Sequence, residues 1–361
     1  MTETTAFTTS DGRTVRFIAG YYDRRTAWPL GTRTYPEFVA RHLAPQTGKN
    51  QETHGYPTDP SFYIPKVFAA VGTARLLEEC GRKPRPGSRL LDIATGPAVL
   101  PRVLKILGLC DHAVGVDLTD RHGYFSDDDL RWTVGRYATA VEDLGKISRP
   151  HAVHGDSPIN DIFYPPYQLF ISDANRNVSL DRFVQSDFMA WDARGERYEI
   201  VTTNTGLLYF DVDAYFAKVG DLLAPGGWHY VTDTYFYHYH GDCLELPMDA
   251  PWMHARMGRD DFIRYVDTCR PEIADAIRTG YRSTTAHMTV ADIIAAGERH
   301  GLQCRGFRRG YTDVKDIWIG TKGLAYYAAT QALDDCRRIN PNVTIDDLLS
   351  RTWTAVFEKR R

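Results

Sequence analysis

From Arg89 onward the chain alternates short apolar runs with segments of helical spacing, and that alternation leaves few folds open to it. Strands are expected over 90–93, 113–117, 183–185, 199–202, 229–232, 303–307 and 352–357. Helices fit 98–107, 212–223 and 290–300. Strands separated by helices pair in parallel, because the crossover must return the chain to the same edge, and the helices then cover both faces. The expected fold is therefore α/β. Two connections, 121–182 and 311–350, are longer than a crossover needs and read as insertions with helices of their own. The strand in "TWTAVFEKR" follows the second insertion and completes the sheet late.

Upstream, "FTTSDGRTVRFI" reads as a small hairpin turning at Ser10, Asp11 and Gly12. An aromatic-rich segment with Tyr21, Tyr22, Trp28, Tyr35 and Phe38 follows, then a polar stretch and a helix over 63–80 built on Val67, Val71, Leu76 and Leu77. "GRKPRPGS" breaks that helix. Residues 1–85 are thus expected to form a lid that caps the substrate, and residues 86–361 the sheet domain with its two insertions.

Charge narrows the partners. With 43 basic and 46 acidic residues the net charge is −3, which offers no broad electrostatic pull toward nucleic acid or a membrane surface. Six cysteines without a CxxC pair argue against a disulfide framework or zinc ribbon and fit a reducing cytoplasm. No apolar run reaches signal-peptide or membrane-span length, so a soluble cytoplasmic protein is expected.

The stretch "RLLDIATGPAVLP", 89–101, places Asp92 at a strand end and small residues Ala94, Gly96 and Ala98 in the turn that follows. In a doubly wound sheet this turn faces the ligand, and small side chains let the backbone approach it closely. Pro97 suits the first helical turn, where its missing N–H costs nothing. "AVGVDLTD" then ends a strand in Asp117, 21 residues beyond Gly96, where an acid hydrogen-bonds a ribose diol. "FVQSDFMAWD" supplies Asp187, able to accept from an exocyclic amine, and Phe188, able to pack on a purine face. "YEIVTTNTGLLYF" puts Asn204 just past a strand, and "LLAPGGWHYVTDT" gives a helix end, a Pro-Gly-Gly turn and another strand. No GKS or GKT of a triphosphate loop is present, and the fuller GxGxxG of nicotinamide dehydrogenases is missing.

In this order and spacing, 92–98, Asp117, 186–188, 199–204 and 222–227 resemble the class I S-adenosylmethionine-dependent methyltransferases. The resemblance implies a Rossmann-like, mostly parallel seven-stranded sheet with the last strand antiparallel, and S-adenosylmethionine as cofactor. It implies that Asp92, Ala94 and Gly96 lie beside the methionine part, Asp117 at the ribose, Asp187 and Phe188 at the adenine, and Asn204 near the sulfonium. Family members usually carry glycine where Ala94 and Ala98 stand.

After the fifth strand, "TDTYFYHYHGDCLELPMDAPWMHARM" is dense in aromatics and histidines. It reads either as the wall of an acceptor pocket, with cation–π character, or as one face of an extended strand packed on the core. Asp233 and His238 are candidate bases for the acceptor proton, and Tyr209 a candidate to orient the acceptor. His238 and His240 could ligate a metal with Asp242 or Cys243, although surface or hydrogen-bonded histidines are the commoner outcome and no metal is expected. The expected activity is methylation of a small molecule at N, O or C, in specialised metabolism. Attack on the aminocarboxypropyl carbon, as in azetidine-2-carboxylate formation, and non-catalytic nucleoside binding are the alternatives.

Overall fold

A computed structural model describes residues 4–18, 64–82, 87–122, 126–128, 130, 178–238, 252–281, 284–311 and 332–360. The expected hairpin is present: β1 (Thr4–Thr8) and β2 (Thr14–Ile18) pair antiparallel, Thr4 against Ile18 and Thr8 against Thr14. The Thr9 amide donates to the Arg13 carbonyl at 2.8 Å, and Gly12 takes the positive φ of 81° that the turn requires.

The main sheet has seven strands: β3 (Arg89–Ile93), β4 (His112–Asp117), β5 (Arg182–Gln185), β6 (Tyr198–Asn204), β7 (Leu223–Thr234), β8 (Leu302–Tyr311) and β9 (Ser350–Lys359). Their spatial order is β5-β4-β3-β6-β7-β9-β8. The first five strands pair in parallel throughout, with Asp92 opposite both Gly115 and Thr202. β9 runs the other way. Its Trp353 carbonyl accepts from Thr232 Oγ1, its Lys359 ammonium reaches the Leu223 carbonyl, and the Arg360 amide donates to Gly301. Against β7 the pairs are Thr232 with Trp353 and Leu223 with Lys359, and against β8 they are Gly301 with Arg360 and, by their ion pair, Arg305 with Glu358, so β9 is antiparallel to both. This is the arrangement the resemblance implies.

β7 begins earlier than expected. Leu223 pairs with Tyr198 and Trp228 with Ile200, so residues 224–227 stand opposite Glu199 alone. The Pro-Gly-Gly sequence therefore lies in a register irregularity inside a strand rather than in a turn before one. Gly226 has φ 70°, and a Cβ on Gly227 would lie 2.8 Å from the Ala224 carbonyl.

Helices α1 (Ile64–Glu79) and α2 (Val99–Ile106) supply buried Ala70, Ala74, Leu77, Val103 and Leu104 to a core shared with Leu90, Ala113 and Ile200. α2 buries all eight of its residues, including two cations. The Arg102 guanidinium reaches the Val178 carbonyl and Asp127, while Lys105 bonds the Ser179 carbonyl and Asp181. The described ends of the first insertion are thus fastened to α2. α3 (Val212–Leu222) is capped by Asp211, whose carboxylate accepts the Ala214 amide, and it buries Val212, Tyr215, Phe216 and Val219 at helical spacing.

Behind α3 lies a polar spot in the core. His229 sits between the Val201 carbonyl at 3.1 Å and the Tyr215 hydroxyl at 3.3 Å, and that hydroxyl also meets Thr203 Oγ1 at 2.6 Å. Burial drops the His229 pKa to about 4, so the folded chain holds the ring neutral. The unfolded chain takes up this proton first, near its ordinary pKa of about 6.5. The stabilisation is therefore complete above that pH and is lost as pH falls toward about 4, up to about 3 kcal/mol. Thermal melting of the wild type and His229→Gln between about pH 7.5 and about pH 4.5 should show the shallower decline in the variant. Parallel declines would remove His229 as a cause.

The chain divides into two compact units, and they do not follow the expected division at residue 85. α1 belongs with most of the sheet. The second unit combines the hairpin with described residues of 234–292, 309–311 and 332–352. Within it, Ser10 donates to Asp261, Arg13 and Arg256 both reach Asp335, and Phe7 meets Tyr265 edge-on at 5.6 Å. The aromatic residues expected in a lid, Tyr21 to Phe38, lie outside the described residues. Among the described residues, no helix is long and apolar enough to cross a membrane.

Candidate functional site

The parallel strands all finish at the same end of the sheet, and the chain reverses its direction of travel across it between β3 and β6. From β3 it proceeds outward to β4 and β5; from β6 it proceeds the other way to β7. A crevice opens at such a switch point because the loops leaving the two adjacent strands turn to opposite sides. Residues 94–98 leave β3 there, and Asn204 ends β6.

Three of the five loop residues have left-handed backbones: Ala94 at φ 54°, Gly96 at 52° and Ala98 at 56°. Left-handed geometry costs an alanine roughly 1–2 kcal/mol, so neighbouring contacts must hold the loop. Asp92, 2 % exposed, takes Thr95 Oγ1 on one oxygen and Thr202 Oγ1 on the other, both at 2.6 Å. The Thr95 amide donates to the Val116 carbonyl at 3.2 Å. The Gly96 amide donates to Asp117 Oδ2 at 2.8 Å, and Oδ1 of that carboxylate accepts the Thr119 amide at 2.9 Å. Pro97 stands before the cap residue Ala98, two residues ahead of the first helical residue and so outside the turn expected for it.

Close approach is secured by a second glycine. Gly115 lies under Thr95, and a Cβ on it would meet Thr95 Cγ2 at 2.8 Å and Leu180 Cδ1 at 3.2 Å. The sequence pattern revealed Asp92, Gly96 and Asp117, but not that Asp117 anchors the loop or that Gly115 makes room for it.

Beyond the end of β5, one residue stands otherwise than the resemblance implies. Asp187 is exposed and folds its Oδ1 back to the Met189 amide at 2.8 Å. Phe188 is only 3 % exposed, with its ring 5.6 Å from Phe210 and 5.8 Å from Tyr215. The Lys218 ammonium sits 5.1 Å over it. The turn after Asp187 aims Phe188 inward, onto α3, where apolar partners wait. Leu118, directly after Asp117, is 69 % exposed. Nearby, His122 stacks on Phe183 at 4.5 Å and bonds Asp120 at 2.6 Å.

Beyond β6, Asn204 Oδ1 accepts the Thr205 hydroxyl at 3.0 Å. A short 3₁₀ turn, Leu207–Tyr209, follows, with both leucines buried and Tyr209 54 % exposed. Asp233, 3 % exposed, accepts the Leu208 amide on Oδ2 at 3.2 Å. The structure thus gathers Asp92, Ala94, Gly96, Asp117, Asn204, Tyr209 and Asp233 at strand ends of the same unit. His238 is buried in the second unit, its amide on the Tyr235 carbonyl. Tyr235, Phe236 and Tyr237 are 1 %, 2 % and 0 % exposed there, which favours the core reading of that aromatic run. Tyr237 donates to the His287 carbonyl and Tyr235 to Asp347. His240, Asp242 and Cys243 lie outside the described residues.

No family model matches this sequence, and no curated protein matches it. Solved structures do. An S-adenosylmethionine-dependent methyltransferase from Mesorhizobium loti is 12% identical with a TM-score of 0.37, covering 80% of this chain and 97% of the other. A Haemonchus contortus phosphoethanolamine N-methyltransferase, in complex with phosphomonomethylethanolamine and S-adenosylhomocysteine, is 14% identical with a TM-score of 0.39, covering 80% and 52%. The N-methyltransferase NodS from Bradyrhizobium japonicum is 10% identical with a TM-score of 0.36, covering 81% and 97%. These overlaps are loose, and the fold rests on the sheet itself. Among the described residues, the strand order of the main sheet and its antiparallel β9 are those of a Rossmann-like fold.

Proposed function

We propose that this chain binds S-adenosylmethionine at the switch point and transfers its methyl group to a small molecule. The observation that carries the reading is the bond from the Gly96 amide to Asp117, which draws the loop and the strand-ending acid into one cradle. A carboxylate has about four acceptor positions. Asp117 uses two on backbone amides and keeps capacity for a ribose diol. The small loop residues admit the methionine part, and exposed Leu118 offers an apolar face for the base. Asp187 would take the adenine amine, and Asn204 would face the sulfonium. Phe188 contributes only from beneath, as packing.

When bound, the donor supplies an electrophilic methyl group on a sulfonium. The chain's own work is to hold an acceptor nucleophile in line, to exclude water and to give the acceptor proton a destination. Exposed Tyr209 is suited to orient the acceptor. A modest net charge of −3 accords with a small-molecule acceptor rather than a nucleic acid. Nitrogen, oxygen and carbon acceptors all suit this arrangement, and a role in specialised metabolism is part of the proposal.

Incubating the protein with S-adenosylmethionine and a panel of amines, phenols and carboxylates, and identifying the nucleoside product, tests the reading. S-adenosylhomocysteine is expected. Methylthioadenosine would move the reaction to the aminocarboxypropyl carbon, and binding with neither product would leave a nucleoside-binding protein.

A further inference from the structure

We propose that Asp233 acts as a positioning residue, holding the turn that presents Tyr209, and that it does not serve as the base. The inference rests on the reading of this end of the sheet as the transfer site. Asp233 is withdrawn from solvent, and its Oδ2 accepts the backbone amide of Leu208, the residue just before Tyr209.

The turn is fastened at several points on the same unit. The Thr205 amide donates to the Thr232 carbonyl at 2.8 Å, which ties the start of the turn to β7 one residue before Asp233. Thr205 itself is left-handed, at φ 57°, so the chain bends sharply as it leaves β6. Gly206 then comes so near the donor loop that a Cβ on it would lie 2.8 Å from the Ala94 Cβ. Tyr209 and Phe210 donate back to Gly206 and Leu207, closing the turn on itself. Leu207 and Leu208 are buried, and Tyr209 emerges.

These contacts connect the two halves of the site mechanically. β7 grips the turn through Thr232 and Asp233, and the turn rests its Gly206 against Ala94 of the donor loop. Removing the Asp233 carboxylate leaves a buried amide without that acceptor, frees the turn to shift, and alters both the placement of Tyr209 and the surface on which Ala94 lies. At 3 % exposure the Asp233 carboxylate is closed off from solvent, and one of its oxygens is turned to the backbone, so it is built into the turn rather than open to an acceptor.

Asp233→Asn and Asp233→Ala separate the roles. Asparagine keeps an acceptor oxygen for the Leu208 amide but cannot take a proton as a carboxylate does. With a positioning role, Asp233→Asn keeps kcat within about threefold and keeps the wild-type pH–rate profile. Asp233→Ala then loses on the order of tenfold in kcat/KM, the cost of one lost hydrogen bond to a buried carboxylate, and also binds the donor more weakly. If asparagine performs as badly as alanine and the profile loses its acid limb, Asp233 is a base and the proposal falls.

Hydrogen exchange at the Leu208 amide supplies a readout independent of turnover. Strong protection is expected in the wild type and Asp233→Asn, and faster exchange in Asp233→Ala; equal protection in all three overturns the proposal. Should the alanine variant not fold, the wild type and Asp233→Asn still decide between the roles by pH profile. An enzyme that gives no product from S-adenosylmethionine would refute the proposed function, while the exchange result would still test the grip on the turn.

Discussion

Asp117→Ala should bind S-adenosylmethionine at least about 100-fold more weakly than the wild type, the largest loss expected from any single change at the site. Two costs add. Hydrogen bonds from hydroxyls to a carboxylate are worth about 1.5–3 kcal/mol each, and a ribose diol would make up to two. The same carboxylate also holds the Gly96 and Thr119 amides, so its removal loosens the loop proposed to hold the methionine part. Asp117→Asn keeps one acceptor and should lose less, roughly tenfold. Calorimetry with S-adenosylhomocysteine measures both, and circular dichroism confirms that the variants fold. Unchanged affinity in Asp117→Ala would sink the assignment of this acid to the ribose.

Gly115→Val should be the most damaging change among residues that no ligand touches. One added carbon already stands 2.8 Å from Thr95 Cγ2 and 3.2 Å from Leu180, and valine adds two more. Thr95 cannot yield freely, because Asp92 holds its hydroxyl and Val116 its amide. Overpacking of this kind costs about 1–3 kcal/mol, which lowers the melting temperature by several degrees in a chain of this size. The displaced loop should also lose donor affinity. Gly72→Ala is the fitting control, since a Cβ there meets nothing within 4 Å and alanine is the better helix former. If both variants melt and bind like the wild type, the loop does not depend on its seat over β4.

Most of the sheet was legible because a buried parallel strand leaves a mostly apolar run. Leu90–Ile93, with Asp92 its one polar residue, and Ala113–Val116 are buried without exception. The start of β7 was not, since a Pro-Gly-Gly sequence carries the signature of a turn whether it ends a strand or lies within one. The difference lies in the pairing of Leu223 with Tyr198, a contact the sequence does not encode locally.

At the site, acids at strand ends could be read from spacing, but direction could not. Phe188 has the chemistry of a purine platform, yet the rotation of one turn sends it to Tyr215. Leu118 looks like any buried leucine until its exposure is known. The run from Tyr235 to Tyr237 fits a pocket wall and a core face equally well by composition; burial in the second unit favours the core.

The two left-handed alanines have a consequence for mutational accessibility. An alanine codon becomes a glycine codon by a single base change, so each relaxed backbone is one step away. The step is not free, because the Ala98 methyl is wholly buried and the Ala94 methyl is what Gly206 rests against. Relief of backbone strain and loss of packing are of similar size, about 1 kcal/mol each, and oppose one another. Glycine at either position should therefore leave the melting point nearly where it is. The chain sits on a neutral plateau at the loop where its donor is proposed to bind, and variation there would be silent to any selection that acts on stability alone.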